Sequence, residues 1–173
     1  MAGGWAIDLF LDRETREHQD VEIAILRREQ LSFKHYLRNW SFSYISSLGQ
    51  LVNWDKGEYL ELPVHEVYGM DGAGHQIEIL LNEAVDGLWK YRRDLHVTYP
   101  LEATIIKSSR GIPILSPEIV LLYKSKDNRP KDSDDLRRVL PDLNKAARAW
   151  LANSIRYAHG NIEWVEKIKN FYP

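Results

Sequence analysis

The stretch Asp20-Val21-Glu22-Ile23-Ala24-Ile25-Leu26 decides how this chain is read. From Val21 onward β-branched and aliphatic residues dominate, so the run is predicted as a strand. Successive side chains of a strand point to opposite faces, which puts Asp20 and Glu22 on one face. Two neighbouring carboxylates repel each other, and burying them without a cation is costly. A hard divalent cation removes that cost, which makes the pair candidate metal ligands and the best clue to chemistry in the chain.

Upstream of this strand stand Gly3 and Gly4, then Trp5-Ala6-Ile7-Asp8-Leu9-Phe10-Leu11, whose apolar residues predict a short buried helix over 5–11. Residues 12–19 are polar and are predicted as a loop. Downstream, 28–38 reads as a helix. Short strands are predicted at 41–46, 50–54, 58–67 and 76–81, with a hairpin at Asp55-Lys56-Gly57 and a turn at Asp71-Gly72-Ala73-Gly74. A further helix is predicted at 84–93, and strands at 103–107 and 112–115. Ser116-Pro117-Glu118 is a helix-start signal, with Ser as cap, Pro in the first turn and Glu matched to the helix dipole. Helices then follow at 117–125, 132–139, 142–158 and 161–170. The expected organisation is an α/β (α+β) core over residues 1–115 and a helical subdomain over 116–173.

The composition suits a folded domain of 173 residues: 44% of them are hydrophobic and 28% charged. No run approaches the ~18 apolar residues of a membrane span, and nothing resembles a signal peptide. The absence of cysteine removes disulfides, thiolate zinc sites and a Cys nucleophile, and the expected home is the cytoplasm. A net charge of −2 hides an asymmetry. Residues 1–86 hold 7 Lys and Arg against 15 Asp and Glu, whereas residues 87–173 hold 16 against 10. Acids that could hold metal lie in front and cations that could meet phosphate lie behind, although two oppositely charged halves also attract without any ligand. No basic stripe with interleaved aromatics points to duplex nucleic acid.

Glu78, embedded in the strand-like His75-Gln76-Ile77-Glu78-Ile79-Leu80-Leu81, is either an outward residue of a half-solvated sheet or a third functional carboxylate. If its strand neighbours that of Asp20, three acids converge, enough for two oxygen-ligated cations such as Mg²⁺. Gly3 and Gly4 let backbone N–H groups approach a phosphate closely, or simply form a turn. Lys124 and Lys126, after an apolar helix, are ordinary partners of a helix C-terminus or phosphate ligands. Asp132, Asp134 and Asp135 read as capping and dipole residues, and Arg92-Arg93 as a solvated helix face or as cations that meet phosphate or substrate. Arg16 could reach a phosphate, and His18 could order the loop ahead of Asp20 or touch the metal site, although a polar loop histidine usually does neither. Trp150, Leu151, Ile155 and Trp164 read as core. Trp40 and Trp54 read as packing, or as stacking surfaces for a base or sugar.

The order Gly3-Gly4, spacer, Asp20-Val21-Glu22-Ile23 resembles the hG[GS]…Dh[DE]h signature of the nucleotidyltransferase superfamily. Gly3-Gly4-Trp5-Ala6-Ile7-Asp8 with Arg13-Glu14-Thr15-Arg16-Glu17-His18-Gln19-Asp20 is similar to the aminoglycoside 2''-adenylyltransferase-like and lincosamide adenylyltransferase branch. Ser116 to Lys124, Arg129-Pro130-Lys131-Asp132 and Asp135 are similar to that branch's helical half. The resemblance implies a mixed sheet flanked by helices, with Mg²⁺ and ATP bound against the C-terminal helices. It implies Asp20 and Glu22 as metal ligands, and Glu78 as a third ligand or the base for the acceptor hydroxyl. Gly3 and Gly4 would line the phosphates, and Lys124 and Lys131 would lie near the triphosphate from the helical side. The implied activity is AMP transfer to a small polar, possibly cationic, hydroxyl-bearing molecule such as an aminoglycoside. A non-catalytic nucleotide- or partner-binding module, or AMP transfer to a protein or tRNA end, are the alternatives. Two departures stand out: the second acid is Glu rather than the commoner Asp, and only Met1 and Ala2 precede the glycines where relatives carry a helix and a strand. A sheet lacking that edge element would invite pairing between chains.

Overall fold

The computed structural model describes residues 1–127 and 129–171. In chain order the elements are α1 (Gly3–Phe10), β1 (Glu22–Leu26), a 3₁₀ turn (Arg27–Glu29) running into α2 (Gln30–Tyr36), β2 (Ser41–Ile45), β3 (Leu51–Asn53), β4 (Glu66–Met70), β5 (Gln76–Val85), β6 (Leu88–Lys90) and β7 (Thr98–Pro100). After a second 3₁₀ turn come β8 (Ile105–Lys107), β9 (Pro113–Leu115), α3 (Pro117–Lys124), α4 (Pro130–Val139), α5 (Lys145–Ala158) and α6 (Ile162–Lys169). Seven strands form one mixed sheet in the order β3-β2-β4-β5-β6-β7, with β1 on β5; β8 and β9 make a separate ribbon. The β1–β5 pair is parallel, and the other strand pairs are antiparallel.

Strand alternation sorts the sheet into two faces. Ile79, Leu81 and Val67 turn to one face and pack with Phe42, Trp54 and Leu60, while Phe33 and Leu37 from around α2 close over them. On the other face Ala24 and Leu80 pack against the larger apolar cluster, which joins α1 to β9 and the C-terminal helices. Helix α3 lies at its centre: Ile119, Val120, Leu121 and Leu122 are all buried, as a helix apolar on every side must be. Helices α5 and α6 start at Asn144 and Asn161, whose side chains accept from the N–H groups of Ala147 and Trp164. Met1 and Ala2 bridge two elements, since Met1 O accepts from Leu115 N and Ala2 N donates to Glu22 O.

Four sequence-based expectations need correction. Residues 84–93 are not a helix: β5 runs on to Val85 and turns through Asp86-Gly87 into β6. Apolar residues at 84, 85, 88 and 89 mimic a helical stripe, but both turn residues hold positive φ (51° and 74°), as a tight hairpin requires. The 58–67 strand begins only at Glu66, and β2 and β3 are joined through Ser46–Gln50 rather than at Asp55-Lys56-Gly57. Ser116 does not cap α3 with its side chain; its hydroxyl donates to Ala103 O instead.

Trp89 of β6 is buried, and its indole N–H donates to Asn82 Oδ1 at 3.0 Å. Trp89→Ala is therefore expected to cost about 3–5 kcal/mol, read as a fall in the urea midpoint. An unchanged midpoint would contradict a strand with Trp89 facing the core.

Candidate active site

The parallel pairing sets Glu22 directly opposite Glu78, and the antiparallel pairing sets Glu78 opposite Tyr68. Residues paired across neighbouring strands share a face, so Glu22 and Glu78 stand side by side on the helical face of the sheet. Asp20, just before β1, and Glu66, at the start of β4, line the same cleft of about 350 Å³. Glu66 accepts a short hydrogen bond from the Tyr68 hydroxyl. Four carboxylates from three strands and their approaches thus open into one space. Glu66 was missed in the sequence because the strand around it was placed out of register.

Their electrostatics follow from this crowding. Burial pushes the Glu78 carboxyl up from 4.5 to about 7, helped by the charges of Glu66, Asp20 and Glu22. Glu22 is also raised, first by burial and then by Asp20, with Glu66 adding to the effect and Lys124 and Arg129 opposing it. Among the described residues, no group of three or more His, Asp or Glu side chains is arranged to hold a metal ion as it stands. The donor set nonetheless has the chemistry a hard cation takes: all oxygen, anionic, and destabilised by its own mutual repulsion.

The glycine pair serves close approach. Gly3 has φ +56°, and a Cβ there would lie 1.3 Å from Glu22 Oε2. A Cβ on Gly4 would lie 2.3 Å from the His18 ring and 2.6 Å from the Arg16 guanidinium. The Glu22 carboxylate therefore rests against the first turn of α1, whose free N–H groups favour an anion. His18 is not a solvated loop residue. Its Nε2 lies 2.5 Å from Asp8 Oδ2, its ring packs on Trp5, and Thr15 donates to the other oxygen of Asp8. These contacts tie the loop ahead of Asp20 to α1.

Behind the cleft lies a buried charge network. Lys124, in the last turn of α3, sits 2.9 Å from Asp135 Oδ2 and 3.2 Å from Asp132 Oδ1. Arg129 pairs with Asp132 at 2.7 Å, and Arg16 reaches Asp135 at 3.5 Å. Asp132 and Asp135 are almost wholly buried. Burial works against the charge of Asp132, yet the Arg129 hydrogen bond and Lys124 hold its carboxyl below the usual range. These two aspartates are internal counter-ions, not the solvent-side dipole residues expected. Only Asp134 has the surface role, pairing with Arg137.

Of the residues singled out from sequence, Asp20, Glu22, Glu78, Gly3 and Lys124 line the cleft together. Gly4 and Arg16 stand behind it, and Lys131 is exposed on α4, outside the lining. Arg92 and Arg93 do line it, on the turn after β6 rather than on a helix face. The signal for their true setting is Asp86-Gly87, which marks a hairpin and not a helix. Trp54 is buried packing, with Lys34 over its ring at 4.3 Å.

Residues 1–139 match a family model described as aminoglycoside-2''-adenylyltransferase. No curated protein matches the chain. Among solved structures it is similar to the antibiotic-resistance factor ANT(2'')-Ia, determined in solution. The TM-score is 0.55 at 17% identity, and the match covers 94% of this chain and 83% of that one. At this identity the likeness bears on fold, and it agrees with the mixed sheet and helical flank described above.

The raised Glu78 carboxyl has a consequence for stability. Between 4.5 and about 7 the folded state retains a proton that the unfolded chain releases, so stability falls as pH rises through that window. Glu78→Gln is expected to raise Tm by roughly 2–4 °C at pH 8, about 1 kcal/mol once solvent screening is counted. The advantage should shrink toward pH 5. Identical melting at pH 8 would show that these acids do not crowd one another.

Proposed function

The chain belongs to the aminoglycoside-2''-adenylyltransferase family, and on that footing we propose that it moves AMP from ATP to a hydroxyl of a small polar acceptor. The observation that carries the reading is the Glu22–Glu78 register, which joins the two acids to Asp20 in a cleft that also presents Lys124, Arg92 and Arg129. Residues 1–115 would supply the acids and the helical part from residue 116 the cation network. Asp20 and Glu22 would hold Mg²⁺, with Glu78 as a third ligand or as the base for the acceptor hydroxyl; the ion, when bound, neutralises charge on the transferring phosphoryl group and the leaving group.

In this reading the acceptor oxygen forms a bond to the α-phosphorus, and the bond from that phosphorus to the oxygen bridging to the β-phosphate breaks. The hydroxyl proton passes to a carboxylate, and pyrophosphate departs. Glu78 suits the proton's destination where it stands off the metal, its carboxyl being pushed up to about 7 in the metal-free cleft. Gly3, with no side chain to intervene, leaves room for the Glu22 carboxylate against the first turn of α1, beside which the phosphates would run. Lys124 would act from behind, fixed by its two aspartates, whereas Lys131 has no part in this cleft. Glu66, bonded to Tyr68, adds negative charge that favours an acceptor bearing ammonium groups, as an aminoglycoside does.

Asp20 is exposed, so its replacement should spare the fold. Asp20→Asn is expected to lower AMP transfer by at least about 100-fold with little change in Tm, followed by pyrophosphate release with an aminoglycoside as acceptor. Near-normal turnover would defeat the assignment. Nucleotide binding by calorimetry without pyrophosphate release from the unmodified protein would point to a binding module instead.

A further inference from the structure

The turn that follows β6 carries Arg92 and Arg93 into the cleft. We propose that this pair is a phosphate-binding subsite, and that it receives the departing pyrophosphate end of the donor. The inference rests on the nucleotide-transfer reading of the cleft and goes beyond it, because neither arginine belongs to the motifs that carry the family resemblance.

The turn is firmly built. Tyr91 N donates to Val97 O at 3.0 Å, Asp94 N donates to Tyr91 O at 3.1 Å, and the Tyr91 side chain is fully buried. Arg93 is anchored, donating to Tyr123 O at 3.2 Å and contacting the Tyr91 hydroxyl at 3.4 Å. Both guanidinium groups lie over the Tyr123 ring, at 5.8 and 5.6 Å from its centre. Arg92 is half-buried, yet it forms no ion pair with any described carboxylate. Burial and the adjoining charge of Arg93 hold its pKa below the ordinary value, against the opposing effects of Tyr123, Tyr91 and Glu66.

The other cations near the cleft differ in this respect. Lys124 lies between Asp132 and Asp135, and Arg129 is bonded to Asp132. Their charge is already matched inside the protein. Two adjacent guanidinium groups, partly desolvated and without a counter-ion, carry a cost that a bound dianion would relieve, and their planar donor edges suit phosphate oxygens. A phosphate carried by the acceptor has the same chemistry, so the test separates the two sources.

The test titrates the unmodified protein, Arg92→Gln and Arg92→Lys with pyrophosphate, AMP and glucose 6-phosphate by calorimetry, with Tm as the check on folding. Pyrophosphate binding is expected to weaken about tenfold or more in Arg92→Gln, to recover in part in Arg92→Lys, and AMP binding to stay unchanged. Weakening confined to glucose 6-phosphate would retain the subsite but overturn its assignment to the donor. Equal affinities for both phosphate probes in all three proteins would overturn the subsite itself. Pyrophosphate release by the unmodified protein, measured alongside, keeps the two readings apart: release with unaffected phosphate binding in Arg92→Gln rejects the subsite alone, whereas no release and no nucleotide binding rejects the transfer reading and the subsite with it.

Discussion

The parallel register of β1 on β5 is the constraint from which the rest of the site follows. It fixes Glu22 beside Glu78 on one face of the sheet, held by main-chain hydrogen bonds that pay no regard to side-chain charge. Two carboxylates so placed repel each other, and Asp20 and Glu66 add to the field. The surroundings offset this only in part. The first turn of α1 lies against Glu22 at a position where only glycine leaves room, and Lys124 and Arg129 act on Glu22 from the helical side. What remains is a pair of carboxyls both pushed up from their ordinary range, a crowding that a hard cation would relieve.

The acids are mounted on a rigid support. The apolar face of β5, through Ile79 and Leu81, is locked against Phe42, Trp54 and Val67. Its helical face is closed by α1 and α3, which share one apolar cluster. The Asp8–His18 contact pins the loop that delivers Asp20, and Arg16 of the same loop reaches across to Asp135 of α4. The loop is thus coupled to the network that holds Lys124. Breaking such a buried network by deleting one partner typically costs 3–5 kcal/mol, about the scale of a whole domain's margin of stability. The placement of acids and cations is therefore tied to the stability of the fold itself.

How much of this was legible in the sequence depends on whether the cause was local. The β-branched and aliphatic run Val21–Leu26 and the strand-like Gln76–Leu81 give β1 and most of β5, and the start signal Ser116-Pro117-Glu118 gives α3. The face shared by Asp20 and Glu22 follows from strand geometry, whereas the partnership with Glu78 needs the pairing of strands 56 residues apart. Residues 84–93 were misread because Ala84, Val85, Leu88 and Trp89 satisfy a helical spacing across what is a two-residue turn. That error set Arg92 and Arg93 on a helix face instead of the turn that carries them into the cleft. Asp132 and Asp135 look like surface acids in any local window, and only the arrival of Lys124 from α3 makes them internal counter-ions.

The most direct measurement of the central claim is a crystal structure of the protein soaked with a non-hydrolysable ATP analogue and Mg²⁺. Metal density held between Asp20, Glu22 and Glu78 is expected, with the α-phosphate beside it and the triphosphate running past Gly3. Nucleotide bound elsewhere on the molecule, with those three carboxylates facing only water, would contradict it.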